Sequence, residues 1–296
     1  MLKTILFCFY KAGENTVDHD GIEHAGYLAF LGLLALFPFL VLLVAMVGNM
    51  GEQLAASDFI ALMIGNLPEH IVEALRPRVL EITTGPSQGL LTLAIVGAIW
   101  TSSSAVEGLR TVLNRAYRVH TPPAYLWRRL LSIAQLLFLT AVIIIGMALV
   151  VVWPVVWAQL QLLLPFDTAG VTDEVHNLST IIGSLLLFFV VSSLYYVLPN
   201  VKQTWISVFP GAAIAVVGWM GAAKLFSLYL GRFEQVNLIY GSLGGIIAAL
   251  LFFYVLGVIF IYGAEFSYLL KTAMGERIEE KEEVIESESP QMEDEI

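Results

Sequence analysis

The sequence predicts an all-α integral membrane protein, a bundle of six transmembrane helices preceded by an N-terminal amphipathic helix at the membrane interface. Two observations carry this. Of 296 residues, 58% are hydrophobic and 14% charged, and the mean hydropathy is +0.79. A soluble domain has roughly 25% charged residues, so this chain has too little polar surface to cover a water-facing globule. Secondly, six apolar runs reach the length of about 20 residues that a helix needs to cross hydrocarbon. None of them alternates as a strand does. Backbone amides in lipid must be bonded within their own segment, so helices follow.

At the N-terminus, Leu2, Ile5, Leu6 and Phe9 recur at helical spacing with Lys3 and Lys11 beside them. No small-residue cleavage site follows before Glu14, which favours a helix lying on the inner surface over a signal peptide. The six spans are Ala25–Val47, Gly89–Gly108, Leu130–Trp157, Leu178–Leu198, Ile206–Leu230 and Ser242–Leu270. The third and sixth must tilt or extend beyond the core, being roughly 42 Å long at 1.5 Å per residue. Trp127 marks the inner end of the third span, and Trp153 and Trp157 its outer end. Between the first two spans, Ile71, Leu75, Val79 and Ile82 form an apolar stripe opposite Glu69, Glu73 and Arg76, interrupted by Pro77. A short amphipathic helix on the outer face is expected there. The chain thus divides into an interfacial helix over 1–20, a membrane domain over 21–272 and an acidic tail over 273–296.

Lysine and arginine set the orientation. The connections on one side, with the N-terminal segment and the tail, carry eleven, including Arg110, Arg115, Arg118, Arg128 and Arg129. The other side carries three, Arg76, Arg78 and Arg232. The positive-inside rule places both termini in the cytoplasm and the protein in the inner membrane of a bacterium. The net charge of −10 is concentrated in the tail, where ten acidic residues from Glu276 onward face three basic ones, Lys271, Arg277 and Lys281. Glu276 to Glu286 is expected to continue the last helix as a charged extension, and the final ten residues to be disordered. No basic stripe with interleaved aromatics supports nucleic-acid binding. The one cysteine, Cys8, excludes an internal disulfide and any cysteine-based metal cluster.

Four stretches stand out together: AGYLAFLGLLALFPFLVLL (25–43), IWTSSSAVEGLRTVLNRAY (99–117), LYYVLPNVKQTWISVFPGAAIAVVGW (194–219) and IYGSLGGIIAALLFFYVLGVIFIYGAEF (239–266). Their order and spacing over residues 1–272 resemble the YihY/virulence factor BrkB family, once mislabelled ribonuclease BN. The resemblance implies a six-helix inner-membrane protein involved in export or transport.

Ionisable groups within spans are costly and are functional candidates for that reason. Three qualify: Glu107, followed one turn on by Arg110; Lys224, about 9 Å from the outer end of the fifth span; and Glu265 near the inner end of the sixth. Each carboxylate either pairs locally with Arg110 and Arg115 or belongs to an inner vestibule. Lys224 either lines a pathway, with Glu234 as a partner, or snorkels outward. The start of the last span, Tyr240, Gly241, Ser242, Gly244 and Gly245, contains a GxxxG pair suited to close packing. The alternative there is an unwound helix start whose free amides face an anion. Gly211, Gly218 and Ala222 carry the same two readings.

Ser102, Ser103 and Ser104 lack the GxSxG surroundings of a nucleophile, and their hydroxyls can bond back to the preceding turn. His19, Asp20, Glu23 and His24 are spaced to share a helical face, yet they match no established metal motif. No metal or other cofactor is therefore expected. No GxxxxGK[ST] loop implies ATP hydrolysis, and no clustered acids or histidines imply a nuclease or another enzyme. The first reading is a transporter of a small solute or an amphiphile, lipids included. The second is a structural or assembly factor of the envelope, and a membrane-embedded enzyme comes last. The bilayer is a partner in every case, and a homo-oligomer is compatible with the sequence.

Overall fold

The computed structural model describes residues 2–48, 88–120, 125–163, 171–230, 242–276 and 279–281. Nearly all of these are helical: α1 (Leu2–Asp18), α2 (Gly21–Gly48), α3 (Gln88–Ala116), α4 (Tyr125–Leu163), α5 (Val171–Val197), α6 (Trp205–Leu230) and α7 (Ser242–Ala273). Among the described residues, Gly21–Leu40, Tyr125–Gly146, Trp205–Leu230 and Gly244–Ala273 are long and apolar enough to cross a membrane. The expected stripe through Ile71 and Ile82, the Tyr240–Gly241 pair, Glu234 and the tail beyond Lys281 lie outside the described residues.

Helix α7 is central, packing against α1, α2 and α6. Helices in lipid gain little from the hydrophobic effect and depend on close approach of small residues. On α6 and α7 that approach is tight. A Cβ added at Gly211 would lie 2.1 Å from the Gly263 carbonyl oxygen, and one at Gly218 would lie 2.6 Å from Ile259 Cγ2. Packing is therefore the role of both α6 glycines. Two side chains fasten the same region: Tyr195 OH donates to the Phe260 carbonyl at 2.5 Å, and Trp219 Nε1 to that of Leu256 at 2.9 Å.

Several helices overrun their expected limits. Helix α3 continues two turns past Gly108 to Ala116, and α4 runs from Tyr125 to Leu163 across Pro154. Pro154 lies inside the helix as it lies inside the expected span, since a proline in a membrane helix is tolerated when neighbouring groups satisfy the freed carbonyl. Helix α7 ends at Ala273 rather than continuing past Glu276. Its end is a Schellman turn: Gly275 has φ +81°, Gly275 N donates to Thr272 O, and Glu276 N to Lys271 O. The chain then reverses, and β2 (Glu279–Glu280) pairs antiparallel with β1 (Val201–Lys202) in the turn between α5 and α6.

This clip also holds Glu280 Oε1 against His120 N at 2.8 Å, and Lys281 N donates to Asn200 O at 3.1 Å. It joins two connections, α3–α4 and α5–α6, to the segment after α7, but it is only two residue pairs long. A chain ended at Gly275 is expected to insert and fold, with unfolding in detergent easier by about 1–2 kcal/mol for the hydrogen bonds lost. Failure to recover folded protein would show the clip to be essential.

Candidate functional site

The charged side chains gather at one end of the bundle, where the α1–α2 corner, the end of α3, the start of α4 and the α5–α6 turn meet. The first cluster is built on α7. Glu265 is 1% exposed, and both of its oxygens accept from Arg118, Nη1 to Oε1 and Nη2 to Oε2, each at 2.8 Å. His19 Nδ1 lies 3.5 Å from Oε1, and Asn15 Nδ2 donates to Oε2 at 3.5 Å. Arg118 also stacks on Tyr268, with Cζ 4.8 Å from the ring centroid.

Two residues here hold a backbone conformation that usually calls for glycine. Arg118 has φ +60°, and Asp20 at the α1–α2 corner has φ +57°. The end of α3 is the same Schellman turn that closes α7, with Arg118 N bonded to Arg115 O and Val119 N to Asn114 O. Arginine therefore occupies the position glycine normally fills, at a cost of roughly 1–2 kcal/mol. The bidentate pair with Glu265 offsets that cost. Asp20 pairs with Arg115, and Gly21 follows because a Cβ there would meet the Thr16 carbonyl oxygen at 2.4 Å.

The second cluster lies between α3 and α4. Ser132 Oγ donates to Glu107 Oε2 at 2.8 Å, and Arg128 Nε lies 3.1 Å from Oε1. Arg110 is 4% exposed, with Nε 3.4 Å from Glu107 Oε2. Its Nη2 donates to Gln135 at 2.5 Å and to Ser132 at 3.4 Å, and its Nη1 to Leu198 O at 3.4 Å. Arg129, 7% exposed, donates to Ser104 Oγ and the Trp100 carbonyl. Partial desolvation, and then repulsion from Arg110, lower the Lys281 ammonium below its usual range.

The expected site residues are thus divided. Glu107 pairs with Arg110 as anticipated, but Arg115 turns to Asp20 and Glu265 takes Arg118 instead. The reason is angular: Arg115 is five residues beyond Arg110, about 140° around the helix. Lys224 stands apart on an exposed face of α6 beside Leu225. Gly244 is buried, whereas Gly245 is exposed and its Cβ position has nothing within 4 Å, so it makes no packing contact of the expected kind. The four weighed metal ligands do not converge: His19 faces Glu265, Asp20 faces Arg115, the His24 ring meets the Asp20 carbonyl at 2.7 Å, and Glu23 is exposed. Among the described residues no group of three or more such side chains could hold a metal ion. Ser103 and Ser104 bond back to the Trp100 carbonyl at 2.9 and 3.3 Å. Arg118 and Arg128 were legible only as orientation charges, since nothing local marks a basic loop residue as the partner of a distant buried acid.

The comparisons agree with this architecture. The family model described as Virulence factor BrkB matches residues 12–286. A protein of Bacillus subtilis named putative ribonuclease-like protein YfkH is 31% identical over 85% of this chain and 90% of its own length. Membrane proteins designated UPF0761 are also similar. The one from Pseudoalteromonas atlantica is 22% identical over 96% of this chain and 92% of its own, and the one from Vibrio campbellii 27% over 91% and 82%. No solved structure matches. A family match across nearly the whole chain, on a bundle of apolar helices with its charges gathered at one end, makes this protein a member of the virulence factor BrkB family of membrane proteins.

Proposed function

We propose that the chain is a bacterial inner-membrane transporter or exporter of a small solute or amphiphile, not itself driven by ATP. In this reading α2–α7 are six spans, both termini are cytoplasmic, and the charged end faces the cytoplasm. Helix α1 lies at the inner interface, presenting Leu6, Phe7 and Tyr10 outward while Cys8 and Ala12 pack on α7. No step of the reading makes it a ribonuclease or any other enzyme.

The observation that carries the reading is a set of buried hydroxyls. Among the described residues, Ser102 and Ser192 Oγ have no hydrogen-bond partner, and Tyr117 OH turns to Ser267 Oγ. A hydroxyl left unpaired in an apolar interior costs about 1–3 kcal/mol, which packing alone does not justify. A polar path through the bundle does. The reading is tested in a Cys8→Ser background carrying Ser102→Cys, Ser192→Cys or Ser267→Cys, each close in size to the serine it replaces. Membrane-impermeant thiol reagent should modify these positions, and access should change with ion gradient or side of addition. Complete inertness from both sides would overturn the transport reading. The envelope assembly factor would then lead, a role favoured by Lys224, which faces outward, away from both clusters.

A further inference from the structure

We propose that the seam between α3 and α4 binds the phosphate group of an anionic membrane lipid, with Arg129 and Trp100 at the headgroup. The inference stands independently of transport, because the seam can hold a headgroup whether or not the lipid moves.

Charge balance is the starting point. Among the described residues, Glu107 is the carboxylate within ion-pair distance of Arg110 and Arg128, and it does not reach Arg129. Arg129 has no carboxylate partner among the described residues, although it is 7% exposed. Its Nη1 is held by Ser104 Oγ at 3.2 Å and its Nη2 by the Trp100 carbonyl at 2.5 Å. Its Cζ sits 4.1 Å over the Trp100 ring, and its Nε has no hydrogen-bond partner among the described residues. A guanidinium in that state is fixed in direction and has no counter-ion among the described residues. Burying it without one is strongly unfavourable, and a phosphate is the anion whose geometry its fork matches.

The surroundings select a lipid over a soluble phosphate. Trp100 is 56% exposed, with Val96 and Leu93 exposed above it on α3. Across the seam Leu126, Trp127 and Leu130 are exposed on α4. Apolar side chains flank the cation on both helices, so hydrocarbon chains rather than water lie beside it. Basic pockets between membrane helices recognise anionic headgroups by this combination.

The test uses the full chain, purified in detergent and stripped of lipid, and counts bound molecules by native mass spectrometry. The probes are phosphatidylglycerol, zwitterionic phosphatidylcholine and inorganic phosphate. The wild type is expected to retain phosphatidylglycerol at least tenfold better than phosphatidylcholine. Arg129→Gln should lose that preference, Arg129→Lys should keep part of it, and Lys11→Gln, on exposed α1, should keep all of it. Trp100→Leu provides a second reading should Arg129→Gln not fold, and it too should lower retention. Unchanged preference in both Arg129→Gln and Trp100→Leu would overturn the proposal. Equal retention of phosphatidylcholine, or displacement of the lipid by inorganic phosphate at comparable concentration, would overturn it as well.

Discussion

Arg118→Ala is expected to cost about 3–5 kcal/mol of stability, the scale at which removal of one partner from a buried ion pair is felt. The damage comes from what remains. Glu265 is 1% exposed, and its two best donors both belong to Arg118; Asn15 and His19, each at 3.5 Å, cannot replace them. The reverse change, Glu265→Gln, should cost less, because the Arg118 side chain is 25% exposed and can hydrate when released. The backbone supplies a control. Since Arg118 sits at φ +60°, Arg118→Gly should be about 1 kcal/mol milder than Arg118→Ala, although glycine removes more side chain. Unfolding of the detergent-purified protein in graded denaturing surfactant measures all three. The double variant Arg118→Ala, Glu265→Gln should recover much of the loss, because the neutral amide no longer requires a cation. Strict additivity of the two single effects would refute the coupling.

The helices were legible in the sequence because hydrocarbon imposes a length and a composition on every span, and lipid removes alternatives to the helix. Their ends were less so. The overrun of α3 and the reversal after α7 were decided by turns whose signals differ: Gly275 is a normal left-handed position, whereas Arg118 gives no local sign that it occupies one. For the charged end, Glu107, Arg110 and Glu265 stood out because charges inside apolar runs are rare. Their partners did not. Arg118 and Arg128 lie in a basic connection that orientation alone accounts for, and Asn15 and His19 lie 250 and 246 positions from Glu265 in the chain. Pairing over such separations follows from how α1 and α3 meet α7. For Lys224, depth along the helix could be counted from the sequence, but the face it occupies depends on where α7 packs.

That packing rests on the crossing of α6 and α7, and Gly211→Ala is expected to disrupt it at a cost of about 3 kcal/mol, the upper part of the usual overpacking range. The added methyl would lie 2.1 Å from the Gly263 carbonyl oxygen and 2.2 Å from Ser267 Oγ. The serine can rotate, but the carbonyl belongs to helix backbone and moves only with α7. Nor can α7 withdraw freely, because Tyr195 OH is bonded to the Phe260 carbonyl and a Cβ at Gly263 would itself lie 2.6 Å from that hydroxyl. Gly221 on the same helix is the matched control, with nothing within 4 Å of its Cβ position. Gly221→Ala should be neutral or stabilise by up to about 1 kcal/mol through helix propensity. Equal effects of the two alanines in surfactant unfolding would refute the close-contact account. The consequence reaches the charged end, since Glu265 lies two residues beyond Gly263 on α7. A displacement of that helix by even part of an ångström pulls both carboxylate oxygens away from Arg118, so Gly211→Ala should also weaken the coupling between Arg118 and Glu265, whereas Gly221→Ala should leave it intact.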